Sequence, residues 1–323
     1  MRYAANLLLI LLLPPGLAAQ TNTNQTDDTP QTIARAYALE EQGHIADAVA
    51  LAQPLADSGK VQGAELGRAW TVLGLAYTDQ GTFATARHAF EQAIAILQPL
   101  PENVRDYAAA LDNFGTLYRA MGQLDSSVAL RLKTLHIYEQ IGDHSGIARA
   151  CNNLASLALL QRDMKKGREY LKRSAEEMKV ATALDDDDVA AIYSMQAEFA
   201  GIGGNPQGAI VGYQRALQIW RRVHTEDHRN IGWGHMLLGQ AYAEAGRIDE
   251  ATNEMKQGLS ILDHLFGRSN PYYLQAEIAY SRLLDETGAH DTAARLRTAD
   301  QATLKAYYQR QCVGCTISVD ALR

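Results

Sequence analysis

The sequence predicts an all-α chain built as an array of about seven stacked helical hairpins, on three observations. Small residues recur inside amphipathic segments at Gly74, Gly115, Ala155, Ala197, Gly239 and Ser281, each about 40–42 residues after the last. Around these anchors stand large apolar residues at helical spacing, as in Leu73, Gly74 and Tyr77. A glycine such as Gly81 or Gly246 then follows, which suits the left-handed residue that ends a helix. A hairpin of this kind cannot bury its apolar face alone, so the regular spacing argues for neighbours that bury it jointly.

The chain has 323 residues, 47% of them hydrophobic and 21% charged, enough for a large core. The formal charge is -7 and there is no basic block, which argues against a nucleic-acid partner. At the N-terminus, Arg2, the apolar run from Leu7 to Leu13 and the break at Pro14 and Pro15 read as a signal peptide over residues 1–19. Gly16-Leu17-Ala18 or Leu17-Ala18-Ala19 offers the small residues for cleavage. The run is shorter than the roughly 20 residues that span a bilayer. The expected location is therefore exported, periplasmic or secreted, with no membrane insertion after cleavage. Residues 20–30 are polar and without periodicity, and are expected to be a disordered linker.

The array is expected over residues 31–308. Ala36, Gly43, Ile45, Ala48 and Ala52 mark a weak first copy. The second is the fullest, with Trp70, Leu73, Gly74, Tyr77, Gly81, Ala86, Phe90 and Ala93. Phe114, Gly115, Tyr118, Gly122 and Leu124 form the third. Leu154 and Ala155 open the fourth, where Arg162 replaces the helix-ending glycine, Ala158 replaces Tyr and Gly167 stands where Ala is usual. Its second helix is expected to pack less tightly. Ala197, Gly204, Ala209, Tyr213 and Ala216 mark the fifth, with Pro206 in a first turn where proline is tolerated. Leu238, Gly239, Tyr242, Gly246, Ile248 and Ala251 mark the sixth. Ser281, Gly288 and Ala293 mark a weak seventh.

The order W-x-x-L-G-x-x-Y, then G, then A-x-x-x-F-x-x-A closely resembles the tetratricopeptide repeat. The unit here exceeds that family's 34 or so residues. The extra length falls in connectors such as QIGDHSGIA, VHTEDHRNIG and LFGRSNPYY. With the Asn152-Asn153-Leu154-Ala155 helix, this longer form is similar to the repeats of kinesin light chain and related bacterial proteins. The resemblance implies a right-handed superhelix, an α-solenoid, whose first helices line a concave groove that holds peptides or protein segments.

Carried across by register, the groove set implied by the resemblance includes Arg68, Asp112, Arg119, Arg149, Asn152, Glu198, Trp233 and Gln240. In kinesin-light-chain-like repeats the first Asn of such a pair bonds a bound main chain, as an amide that donates and accepts can do. That expectation falls on Asn152. Arg68, Arg119 and Arg149 suit bidentate contact with carboxylates. Trp233 reads either as a groove anchor or as packing against the preceding repeat, and Trp70 as a core residue.

Cys312 and Cys315 form a lone C-x-x-C in the tail, residues 309–323. In an exported protein a local disulfide is the leading reading. A redox-active pair and a metal site remain alternatives, though zinc would need two further ligands. Cys151 is expected to be a buried free thiol. Asp185–Asp188 lacks the glycine turn and distal Glu of a calcium loop and reads as a solvated helix cap. His224 and His228 have i, i+4 spacing but sit in a connector. No P-loop, G-x-S-x-G or dinucleotide-binding glycine pattern is present. No cofactor or metal is expected, and no enzyme activity. The expected function is a protein-interaction scaffold that binds a protein or peptide. The alternative is a thiol–disulfide protein using Cys312 and Cys315, with the array recruiting clients.

Overall fold

A computed structural model describes residues 28–311. The signal segment and the Cys312/Cys315 tail lie outside them. The described residues form fourteen α-helices, paired in chain order into seven hairpins. These are α1 (Thr29–Glu41) with α2 (Ile45–Asp57), α3 (Gly63–Asp79) with α4 (Phe83–Leu97), and α5 (Val104–Ala120) with α6 (Leu124–Gln140). They continue with α7 (His144–Leu160) and α8 (Met164–Val180), α9 (Asp186–Ile202) and α10 (Pro206–Val223), α11 (Arg229–Glu244) and α12 (Ile248–Phe266), and α13 (Pro271–Glu286) and α14 (His290–Gln311). Each second helix also packs on the next first helix, and first helices such as α3 and α5 touch directly. The superhelix foreseen from the repeat is therefore the fold. Its helical part starts at Thr29 and runs to Gln311, slightly beyond both ends of the expected array.

The signature residues explain the pairing. A Cβ added at Gly74 would lie 2.7 Å from the ring of Phe90, so the missing side chain on α3 is what admits the aromatic from α4. Phe90 is fully buried and stacks on Phe114 of the next hairpin, with centroids 5.4 Å apart. Gly239 and Met255 repeat the arrangement between α11 and α12. Helix ends follow the same logic. Gly81, at φ +74°, closes α3, with the Gly81 and Thr82 amides bonded back to Thr78 and Tyr77. Arg162 makes the same turn at φ +60° without being glycine, a conformation costing roughly 1–2 kcal/mol for a side-chain-bearing residue. Pro206 stands in the first turn of α10.

As expected, the second helix of the fourth hairpin packs less tightly: α8 buries only Gly167, Leu171 and Ser174 and meets α9 more sparsely than the other second helices meet the next hairpin. The space at Gly167 itself is taken by the Phe199 ring of α9, which a Cβ would meet at 2.5 Å. One expectation changes: Asp185–Asp188 is not merely a solvated cap. Asp185 does cap α9 by accepting from the Asp188 amide, but each of the others takes a basic side chain as partner. Asp186 pairs with Arg222, Asp187 with His224 and Asp188 with Arg149, at 2.6, 2.7 and 3.1 Å. Cys151 is fully buried as a free thiol, and burial pushes its pKa up to about 11.

The array also curves back on itself. Arg229, at the start of α11, reaches Asp79 at 2.6 Å and Glu40 at 3.3 Å, 150 and 189 residues away. The Tyr272 hydroxyl donates to Asp79 at 3.0 Å, and the Tyr307 hydroxyl to the Gln80 carbonyl at 2.8 Å. Phe266 lies against Gly43. The turns of the first two hairpins thus meet the connectors before α11 and α13 and the flank of α14, forming a seam that closes the array.

Candidate groove and seam site

The first helices carry the candidate residues, and the structure sorts them into three groups. Arg68 and Arg149 hold neighbouring hairpins in register. Arg68 on α3 pairs with Asp106 in the first turn of α5 at 2.8 Å, and Arg149 on α7 pairs with Asp188 in the first turn of α9 at 3.1 Å. Arg105 and Asp143 repeat the pairing at 2.8 Å. The acid of each pair sits near a helix N-terminus, where the backbone dipole favours it. Trp233 is half-buried against the core of the last three hairpins.

A second group forms a polar network on α5 and α7. Asp112 accepts from Asn153 Nδ2 at 2.9 Å, joining α5 to α7. Its other oxygen faces Arg131 Nη1 at 3.6 Å. Arg131 belongs to α6, where Phe90 stands one repeat earlier, and the absent side chain of Gly115 lets it pass beside α5. It donates to Thr116 at 2.9 Å, and burial pulls its pKa below the usual arginine range, partly opposed by Asp112. Asn152 is buried, and its Oδ1 has no hydrogen-bond partner. An unpaired buried acceptor costs about 1–3 kcal/mol, so this atom is a local cost of the packing between α5 and α7. Other positions of the same register, Thr71, Met236 and Ile278, are buried too. Adjacent first helices meet at this register more closely than an open groove wall would allow.

The third group is open. Arg119, near the end of α5, is exposed and makes no ion pair among the described residues. Farther along, Glu198 on α9 and Gln240 on α11 line one cavity of about 130 Å³ with Tyr213 and Glu244. Burial raises the Glu198 pKa, and Gln240 donates to Glu244 at 3.3 Å.

Electrostatics at the seam differ in kind. Glu40 is 2% exposed, and burial beside Asp79 pushes its pKa up to about 8 despite Arg229. Arg229 is raised in turn: burial opposes its charge, but Glu40 and Asp79 outweigh it. Beside them the rings of His224 and His228 stack 3.6 Å apart. Burial, aided by neighbouring His224 and Arg229, lowers His228 to about 4. Among the described residues no three His, Cys, Asp or Glu side chains are placed to share a metal ion.

With this geometry in hand, the tetratricopeptide repeat family profile matches residues 65–140 and 188–264. Those two stretches are tetratricopeptide repeats. No curated protein sequence matches it. The fold is similar to apo RapI, with a TM-score of 0.60, 12% identity and coverage of 86% of this chain and 99% of that one. It is similar also to a Rap protein complexed with competence and sporulation factor, at 0.58 and 13%, covering 92% and 99%. A chain of the APC/C hetero-tetramer Cut9–Hcn1 matches at 0.58 and 17%, covering 83% and 48%. At these identities the likeness shows the fold alone. Tetratricopeptide arrays are generally non-enzymatic, and the fold supports a protein-interaction scaffold.

Arg131 and Arg229 are absent from the groove set read by register. A signal for Arg131 existed in its standing where Phe90 stands, opposite another glycine. Arg229 carried none, because its partners belong to hairpins four and five repeats away.

Proposed function

We propose that this protein is an exported scaffold that holds an extended peptide, or an extended segment of a partner protein, along its first helices. The observation that carries the reading is the row of first helices in a tetratricopeptide array, with Arg119 exposed on it and without an ion pair among the described residues. An extended segment presents main-chain and side-chain acceptors at regular intervals, the chemistry such a donor lacks. Gln240, also exposed, adds a side-chain contact from another first helix. The Rap structure with competence and sporulation factor gives a precedent for ligand binding by a similar fold. Export rests on Arg2, the Leu7–Leu13 run and the small residues that follow, and Edman sequencing of the mature N-terminus tests it.

The binding test is affinity capture from native cell envelope with wild type and with an Asn152→Ala, Arg119→Ala variant. Arg149 is left intact because it holds α7 to α9. A partner captured by wild type and lost by a variant of unchanged helicity supports the groove. The same partner captured equally by both refutes it.

A further inference from the structure

Where the seam closes, it leaves a partly open cavity of about 100 Å³ with a mixed polar and apolar lining. One wall comes from α3 and α5, with Thr78, Thr116 and Arg119. The other comes from α13 and α14, with Tyr272, Gln275 and Tyr307. The two walls are far apart in sequence, so the cavity exists only while the array is closed.

Its charges are unequally matched. Asp79, also in the lining, is already held by Arg229 at 2.6 Å and by the Tyr272 hydroxyl at 3.0 Å. Thr78 donates to the Gly74 carbonyl, and Thr116 accepts from Arg131. Arg119 alone brings a charge with no counterion among the described residues. Its influence reaches Tyr272 across the cavity and Arg131 behind it. A guanidinium is a planar fork of donors matched to a carboxylate, and the amide of Gln275 supplies another donor on the opposite wall. The volume suits a short side chain with a water or two and is too small for a folded element. Arg119 lies one turn beyond the small-residue anchor of its helix, on the face where the proposed segment runs.

We propose that this seam cavity takes an acidic side chain, Asp or Glu, of the segment bound along the first helices, with Arg119 as the specificity-determining contact. This deepens the groove reading and rests on it. Because the site spans the seam, its occupant binds the closed array better than an opened one and holds it closed.

The probe is a display library of random twelve-residue peptides fused through their C-termini, so that no free terminal carboxylate is presented. It is panned on the full chain and on Arg119→Lys and Arg119→Glu variants. Arg119 is exposed, so these variants keep the fold, and circular dichroism verifies it. Peptides selected on wild type and Arg119→Lys are expected to share an Asp or Glu at a fixed position, and those selected on Arg119→Glu to lose it. With C-terminally amidated synthetic peptides, exchanging that Glu for Gln should weaken binding to wild type about five- to tenfold and leave binding to an Arg119→Gln variant unchanged. The bound peptide should also slow amide exchange at Gln80, Gly81 and Thr82. Selected peptides without acidic preference, or with the same preference on Arg119→Glu, overturn the seam proposal and leave groove binding standing. Failure to select any peptide on wild type overturns both.

Discussion

Replacing Arg229 with Gln tests whether the seam holds the array closed. The Arg229 side chain is 22% exposed, and its partners Glu40 and Asp79 are 3% and 9% exposed. Removing one member of a buried ion pair typically costs about 3–5 kcal/mol, because the remaining charge is stranded. Here the lower end applies: Gln can still donate to Asp79, and Glu40 can keep a proton. About 3 kcal/mol placed on a local opening raises the open population on the order of a hundredfold. The assay is amide hydrogen exchange read by mass spectrometry at neutral pH. The turn amides of Gly43, His44, Gly81 and Thr82, now bonded within the first two hairpins, should exchange that much faster. Amides of α7 and α8, remote from the seam, should not change. An Arg247→Gln variant, which breaks an exposed pair with Glu250, is the control. Unchanged protection at the seam refutes the argument, and so does a uniform loss across all seven hairpins, which would mean global destabilisation.

Other outcomes follow from the same geometry. In the closed array Glu40 titrates near 8 rather than near its ordinary 4.5, facing Asp79, Glu41 and Arg229. Its contribution to closure is therefore full below about pH 4.5 and is lost as pH rises through about 8. Seam protection, corrected for intrinsic exchange, should fall between pH 7 and 9 in wild type and stay level in Glu40→Gln; equal falls in both would remove Glu40 as the cause. Arg162→Gly should raise stability by roughly 0.5–1 kcal/mol, since relief of the positive φ exceeds the entropy added to the unfolded chain. The melting temperature should rise roughly 1–3 °C by calorimetry, and a decrease would mean that the arginine side chain contributes more than its backbone costs. Arg131→Met alone should cost about 2–4 kcal/mol by leaving Asp112 without its cation, and adding Asp112→Asn should restore most of it. Urea denaturation of the two variants measures this, and additive losses would show that the two residues do not act as a pair.

Much of the fold is legible along the chain because its determinants are local. Gly74 with Phe90, Gly81 after α3 and Pro206 at the head of α10 each announce their role within a few turns of helix. Arg162 announces a departure the same way, as a bulky residue where the turn requires a left-handed backbone. Site residues are less legible because register gives direction but not company. Arg68 and Arg149 point as the pattern expects, yet each has an Asp waiting 38 or 39 residues later. Asn152 lies at an expected register but in a tighter place than an open groove. Closure was not legible at all. It depends on the small rotation between successive hairpins summed over the whole array, and no window of sequence contains Glu40, Asp79 and Arg229 together.

That closure changes what kind of folding unit the array is. Open solenoids are quasi-one-dimensional: each repeat feels only its neighbours, stability grows by increments, and end repeats can be trimmed with local effect. Here the Tyr307 hydroxyl is bonded 227 residues back, to the Gln80 carbonyl, and Arg229 ties α11 to α1 and α3. The last two hairpins are neighbours of the first two, and removing the seventh withdraws its contacts from the second. Unfolding that starts at either end must break the same seam, which couples the two ends of the chain into one cooperative event.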